Sequence, residues 1–106
     1  MKLSIKDRVI ISNTVIPPFA TRDVLKNLII PIKSKIDLVG DETSDIKYTQ
    51  KGDMTFVSYT ENALIEREFC FTESELAFLK EQVSQLDAIG KFSVDTIETY
   101  EKILNE

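Results

Sequence analysis

The stretch 46–59, IKYTQKGDMTFVSY, decides the fold class. Ile46–Gln50 and Met54–Tyr59 each alternate in polarity and are rich in β-branched and aromatic residues. Lys51-Gly52-Asp53 lies between them. Two alternating runs around a glycine turn predict a β-hairpin. Further on, Ile65, Arg67, Phe69 and Phe71 alternate with Glu66, Glu68 and Cys70, which predicts a third strand. A hairpin alone is marginal in water, so this small sheet is expected to pack on helices.

Helical signals flank the sheet on both sides. Downstream, Thr72-Glu-Ser-Glu75 is a capping box. Leu76, Leu79, Val83 and Leu86 follow at spacings of a single helical seam, Phe78 and Ile89 widen it, and Gly90 is the expected stop. Ser93 is the expected cap of a last helix whose apolar side is Val94, Ile97, Tyr100, Ile103 and Leu104. The short Gly90–Phe92 link makes these two a C-terminal antiparallel helical hairpin.

Upstream, Ser4-Ile-Lys-Asp7 resembles a capping box with Asp in the Glu position. It predicts a helix to about Ser12, broken by Asn13 and Thr14. Pro17-Pro18 forces an extended connector, and Thr21 is the next cap. From Arg22 to Val39, Leu25, Leu28, Ile29, Ile32, Ile36 and Val39 fall within one arc of about 100° on a helical wheel. Pro31 lies opposite that arc, so the helix is expected to bend there and continue. Gly40 is the expected C-cap.

The composition of one ordinary domain spanning 1–106 goes with this order of elements. Of 106 residues, 42% are hydrophobic, 13 are basic and 18 acidic, for a net charge of −5. No apolar run approaches the ~20 residues of a membrane span. The N-terminal stretch, interrupted by Asp7 and Arg8, does not read as a secretion signal. Charge is unevenly placed. Residues 1–36 hold seven basic and two acidic groups, net +5, and residues 37–106 hold six basic and sixteen acidic, net −10. The halves either neutralise each other within the fold or leave a charged face for a partner of opposite sign.

Catalytic and metal chemistries find little support. There is no histidine, hence neither the commonest general base nor the commonest metal ligand. Cys70, the single cysteine, has no histidine to activate it and reads as a small buried or half-buried hydrophobe between Phe69 and Phe71. Asp41, Glu42, Asp45 and Asp53 lack the spacing and central glycine of a calcium loop and read as a solvated acidic loop. Gly90-Lys91 followed by Ser93 lacks the upstream glycine and the adjacent Ser or Thr of a phosphate loop. Tyr48, Phe56, Tyr59, Phe69 and Phe71 are expected to face the helices as core rather than to stack nucleic-acid bases. Nearby Glu61, Glu66 and Glu68 would repel a phosphate backbone.

The opening Met1-Lys-Leu-Ser-Ile-Lys-Asp-Arg8 resembles the start of a group of short proteins encoded by tailed phages and prophages. The resemblance continues through the order of helices and strands, the Lys-Gly-Asp turn, the Thr-x-x-Glu cap, the Gly-Lys-Phe-Ser link and the Tyr-Glu-Lys of the last helix. The Pro17-Pro18 connector and the lengthened Lys33–Asp45 region depart from it. It implies a small phage-encoded protein of the host cytoplasm or the virion, and brings no catalytic residues.

The sequence therefore predicts an α+β domain, with about four helices packed on a small antiparallel sheet. Its expected core is Val9, Leu25, Leu28, Ile32, Ile36, Phe69, Phe71, Leu76, Leu79, Val83, Leu86, Ile97 and Leu104. The expected function is a non-enzymatic protein-binding module with no cofactor, no metal and no membrane partner. It would act on a host or phage protein, or serve in virion assembly. Arg22, Lys26 and Lys33, grouped on one edge of the apolar arc, are the candidate partner-binding residues. The alternative is a nucleic-acid-associated protein using that same edge. Self-association is a further expectation, because the broad apolar surface around Val9 and Ile10 and the offset Phe78 and Ile89 each need a second neighbour.

Overall fold

A computed structural model describes all residues, 1–106. The chain forms an α+β domain with a C-terminal helical hairpin. The order is β1 (Lys2–Leu3), α1 (Ile5–Ile10), α2 (Arg22–Val24), α3 (Ile30–Ile36), β2 (Ile46–Lys51), β3 (Met54–Tyr59), β4 (Arg67–Glu68), α4 (Glu73–Ala88) and α5 (Ile97–Leu104). Helix α1 runs directly into a π-helical stretch, Ile11–Val15, and a second such stretch, Leu25–Ile29, joins α2 to α3. Short 3-10 turns occupy Gly40–Asp45 and Glu61–Leu64.

The caps at Ser4, Thr21, Thr72 and Gly90 act as the sequence predicts. The Ser4 hydroxyl accepts from the Asp7 N–H while Asp7 accepts from the Ser4 N–H. Thr72 and Glu75 make the same reciprocal pair at α4, and Thr21 accepts from the Val24 N–H. These contacts satisfy donors that a helix start leaves open. Gly90, at φ +70°, closes α4: its N–H reaches the Asp87 carbonyl and the Lys91 N–H reaches that of Leu86. That crossed pair needs a left-handed residue.

The helix through Pro31 is continuous, with Ile32 and Ile36 buried on its far side. Proline cannot donate to the carbonyl four residues back and its ring crowds that carbonyl. The wide turn Leu25–Ile29, closed by Ile30 N–H to Leu25 O, lies where that crowding falls. The first helix differs from expectation in the same way. It passes through Asn13 and Thr14 to Val15, because Thr14 bonds the Ile10 carbonyl through its hydroxyl at 2.7 Å and Ile16 N–H closes on Ile11 O. The shifted phase makes Ile11 and Val15, rather than Val9, the most buried residues of that segment.

Three boundaries are corrected. The second helix stops at Ile36, not Val39, because the Arg8 guanidinium takes the terminal carbonyls of Ile36 and Asp37; Val39 is exposed and Gly40 opens a 3-10 turn. The third strand shrinks to Arg67–Glu68 and pairs with Lys2–Leu3, not with the hairpin. The last helix begins at Ile97, one turn beyond Ser93, and Val94 is exposed.

The core gathers Leu3, Ile10, Ile11, Val15, Ile16, Ile29, Ile32, Ile36, Leu79, Val83, Tyr100 and Ile103. Of the expected core, Ile32, Ile36, Leu79 and Val83 are fully enclosed. Val9, Leu25, Leu28, Phe69, Phe71, Leu76 and Leu86 are half-buried, and Ile97 and Leu104 lie at the exposed boundary. The radius of gyration is 14.2 Å, against about 13 Å for a compact domain of this length. The hairpin β2–β3 contributes to the excess: from Lys47 to Ser58 every residue is exposed.

Candidate protein-binding surface

Charged side chains enter the interior at three places, and each is saturated there. Asp7, at the start of α1, accepts from Thr99 at 2.5 Å and from Lys102 at 2.5 Å on α5. Burial pushes its carboxyl up, but the bonds from Lys102, the Ser4 N–H and Thr99 outweigh that and hold it below the usual carboxylate range. Burial works against the Lys102 ammonium, but Asp7 and then Glu66 hold its pKa above the usual lysine value. Arg8 spends its donors on Glu42 at 2.5 Å and on the carbonyls of Ile36 and Asp37; its hydrogen bond is the main reason that the Glu42 carboxyl is held low. Glu75 is opposed by burial and stabilised by Lys35 at 2.5 Å and the Thr72 N–H, with a net lowering. No buried side-chain polar atom is left without a partner.

Arg8–Glu42 and Lys35–Glu75 join the basic first third of the chain to the acidic remainder, so part of the charge asymmetry is neutralised internally; Asp7–Lys102 runs the other way. Arg22, Lys26 and Lys33 are outside that neutralisation. All three are exposed and none makes an ion pair. Arg22 and Lys26 lie one turn apart on one face. Lys33 instead lines a groove that neither Arg22 nor Lys26 lines.

That groove, about 450 Å³, runs between the proline connector and the second helix. Ile16, Pro17 and Pro18 form one side and Leu25, Ile29 and Ile30 the other, with Ser12, Asn13 and Lys33 as its polar lining. Two large apolar side chains stand in solvent beside it: Phe19 is 88% exposed and Ile30 56%. Sequence reasoning did not single out either. Ile30 was legible, because it falls well off the buried arc of its helix; Phe19 follows two prolines and belongs to no periodic pattern.

Other expected features fall elsewhere. Cys70 is exposed, not buried, because alternation around Phe69 and Phe71 turns it to the opposite side. Of the sheet aromatics, Phe69 and Phe71 pack against the core, Tyr59 is half-buried, and Tyr48 and Phe56 remain in solvent at 67% and 48%. The expectation that all five face the helices is therefore corrected: the body covers only the base of the hairpin, through Ile46 and Tyr59. In the acidic segment, Glu42 is committed to Arg8 and Asp45 to the Thr60 hydroxyl, and no group of three acidic or thiol side chains is placed to hold a metal ion. Ile10 is buried and Phe78 packs on the core, while Ile89 stays exposed.

No helix is long and apolar enough to cross a membrane. Compared with protein-family models, curated proteins and solved structures, the chain matches none of them.

Proposed function

We propose that this chain is a non-enzymatic protein-binding module, and that its partner lies along the groove between Pro17-Pro18 and the second helix. The observation that carries this reading is the pairing of exposed Phe19 and Ile30 with Lys33, a cation in the groove lining that no acidic side chain of the chain engages. Large apolar side chains beside a groove supply the anchors of an interface. An unpaired lysine among them, with Arg22 and Lys26 exposed on the same helical segment, favours an acidic segment and speeds its approach. The partner chemistry is thus a polypeptide stretch that presents apolar side chains next to Asp or Glu. The resemblance of the sequence to phage and prophage proteins supports a reading in which that partner is a host or phage protein, met in the host cytoplasm or on the virion.

The test is an affinity capture from host and infected cells with wild-type protein, with Phe19→Asp/Ile30→Asp/Lys33→Glu, and with Val94→Asp, whose site is exposed and distant in sequence. A protein retained by the wild type and by Val94→Asp, and lost from the triple variant, is the expected result. Retention by all three would place the interface elsewhere. Binding dominated by nucleic acid, weakening steeply with salt, would replace this reading with the nucleic-acid alternative.

A further inference from the structure

The hairpin β2–β3 is an incomplete sheet. Lys51 pairs with Met54 across Gly52-Asp53, and Gly52 at φ +60° sits at the first central position of a two-residue turn. At the far end the Thr60 N–H bonds the Asp45 carbonyl at 3.0 Å. Bonded and non-bonded pairs alternate along an antiparallel ladder, so the backbone N–H and C=O groups of Thr55, Val57 and Tyr59 point away from β2. No other strand meets them, because β4 pairs with β1 instead.

The two edges of the hairpin differ in charge. Strand β2 carries Lys47 and Lys51, and pairing it with its own copy would gather four lysines on one strip of sheet. Strand β3, MTFVSY, has no charged residue and no proline. Chains usually guard a free edge with charge, proline or a covering element. Here the edge is unguarded, and Val57 at its centre is 46% exposed. A recess of about 230 Å³ separates Val57 and Tyr59 from Lys6, Ile10, Asp95 and Thr96 of the body.

We infer that β3 is a self-pairing edge, and that a second copy of this chain completes the sheet. Two β3 strands run antiparallel about a two-fold axis at Val57. Val57 then faces Val57 of the other copy, Thr55 faces its Tyr59, and Phe56 faces its Ser58. These pairings are neutral; Val57 meets a second β-branched side chain and Thr55 an aromatic one, which favours cross-strand contact. The result is a four-stranded sheet, a common size for a stable one, with the isologous symmetry most dimers use. This interface is separate from the groove in position and in chemistry, so either can stand without the other.

Light scattering from micromolar to millimolar protein reads the outcome. The wild type is expected to pass from monomer to dimer mass. Val57→Lys sets two lysines opposite each other and should raise the dissociation constant about tenfold or more. Gln50→Lys, on the other edge, should leave it unchanged. Cross-linking checks the register without depending on variant stability. Opposed side chains of a bonded pair lie close enough for a short bifunctional thiol reagent to join them. On a Cys70→Ser background, Val57→Cys should therefore be cross-linked to a dimer by a short bis-maleimide, and Gln50→Cys should not. A monomer at every concentration overturns the proposal. So does a dimer indifferent to Val57→Lys, or a Gln50→Cys that cross-links as readily as Val57→Cys.

Discussion

The body of this molecule and its hairpin obey the same local rules and reach different ends. In the body, the two capping boxes are each reinforced by a partner far along the chain. The Ser4–Asp7 cap is also the Lys102 and Thr99 site, and the Thr72–Glu75 cap is also the Lys35 site. Arg8 closes the C-terminus of a helix 28 residues away. In the hairpin, the ladder and the turn are as regular as any element of the body, yet the structure places little on either face beyond Ile46 and Tyr59. Alternation thus specifies a strand and does not specify what covers it.

The largest expected effect lies in the body. Arg8→Ala removes the donor to two helix-end carbonyls and strands the Glu42 carboxylate. It should cost about 3–5 kcal/mol, read as a lowered midpoint in chemical denaturation. A loss below about 1 kcal/mol would mean that water or Arg67, 3.5 Å from Glu42, substitutes for the guanidinium, and the body would then be no more tightly tied than the hairpin.

Acid sharpens the contrast. The carboxyls of Asp7, Glu42 and Glu75 titrate below their ordinary values in the folded chain. The unfolded chain therefore binds more protons in the acid range. Their stabilisation is complete above the ordinary carboxylate range, about pH 4, and is lost as pH falls through the lowered values. Lys102 has the opposite sign: its folded value is raised, so its contribution is present below the ordinary lysine value and is lost as pH rises through the raised one. Asp7→Asn should flatten the acid limb of the stability profile. An unchanged limb would mean that Asp7 does not contribute to it.

The fold class, the caps, the glycine turn and the apolar seams of α3 and α4 were legible because each is written within one or two turns of chain. Three things were not. The wide turns at Ile11–Val15 and Leu25–Ile29 respond to Thr14 and Pro31, and a fixed 100° wheel has no place for them. The pairing of Arg67–Glu68 with Lys2–Leu3 joins residues that no local pattern links. The candidate surface was half legible: Arg22, Lys26 and Lys33 stand out as basic residues in the sequence, but the groove needs the proline connector folded against the helix.

Smaller effects belong to the exposed strand residues. In a monomeric Val57→Lys background, Phe56→Ala should cost less than about 1 kcal/mol, where a buried phenylalanine costs about 3–5. Cys70→Ala and Cys70→Ser should both stay within about 0.5 kcal/mol of the parent, since an exposed hydroxyl finds water. A loss from Ser alone would mean that Cys70 is enclosed.

Native-state hydrogen exchange on dilute, monomeric protein tests most directly the division between a tied body and an uncovered hairpin. Amides of α4 such as Leu79 and Val83 should exchange only through global unfolding. Those of Phe56 and Ser58, bonded within the hairpin ladder, should exchange much faster by local opening. Equal protection of both sets in the monomer would contradict the division.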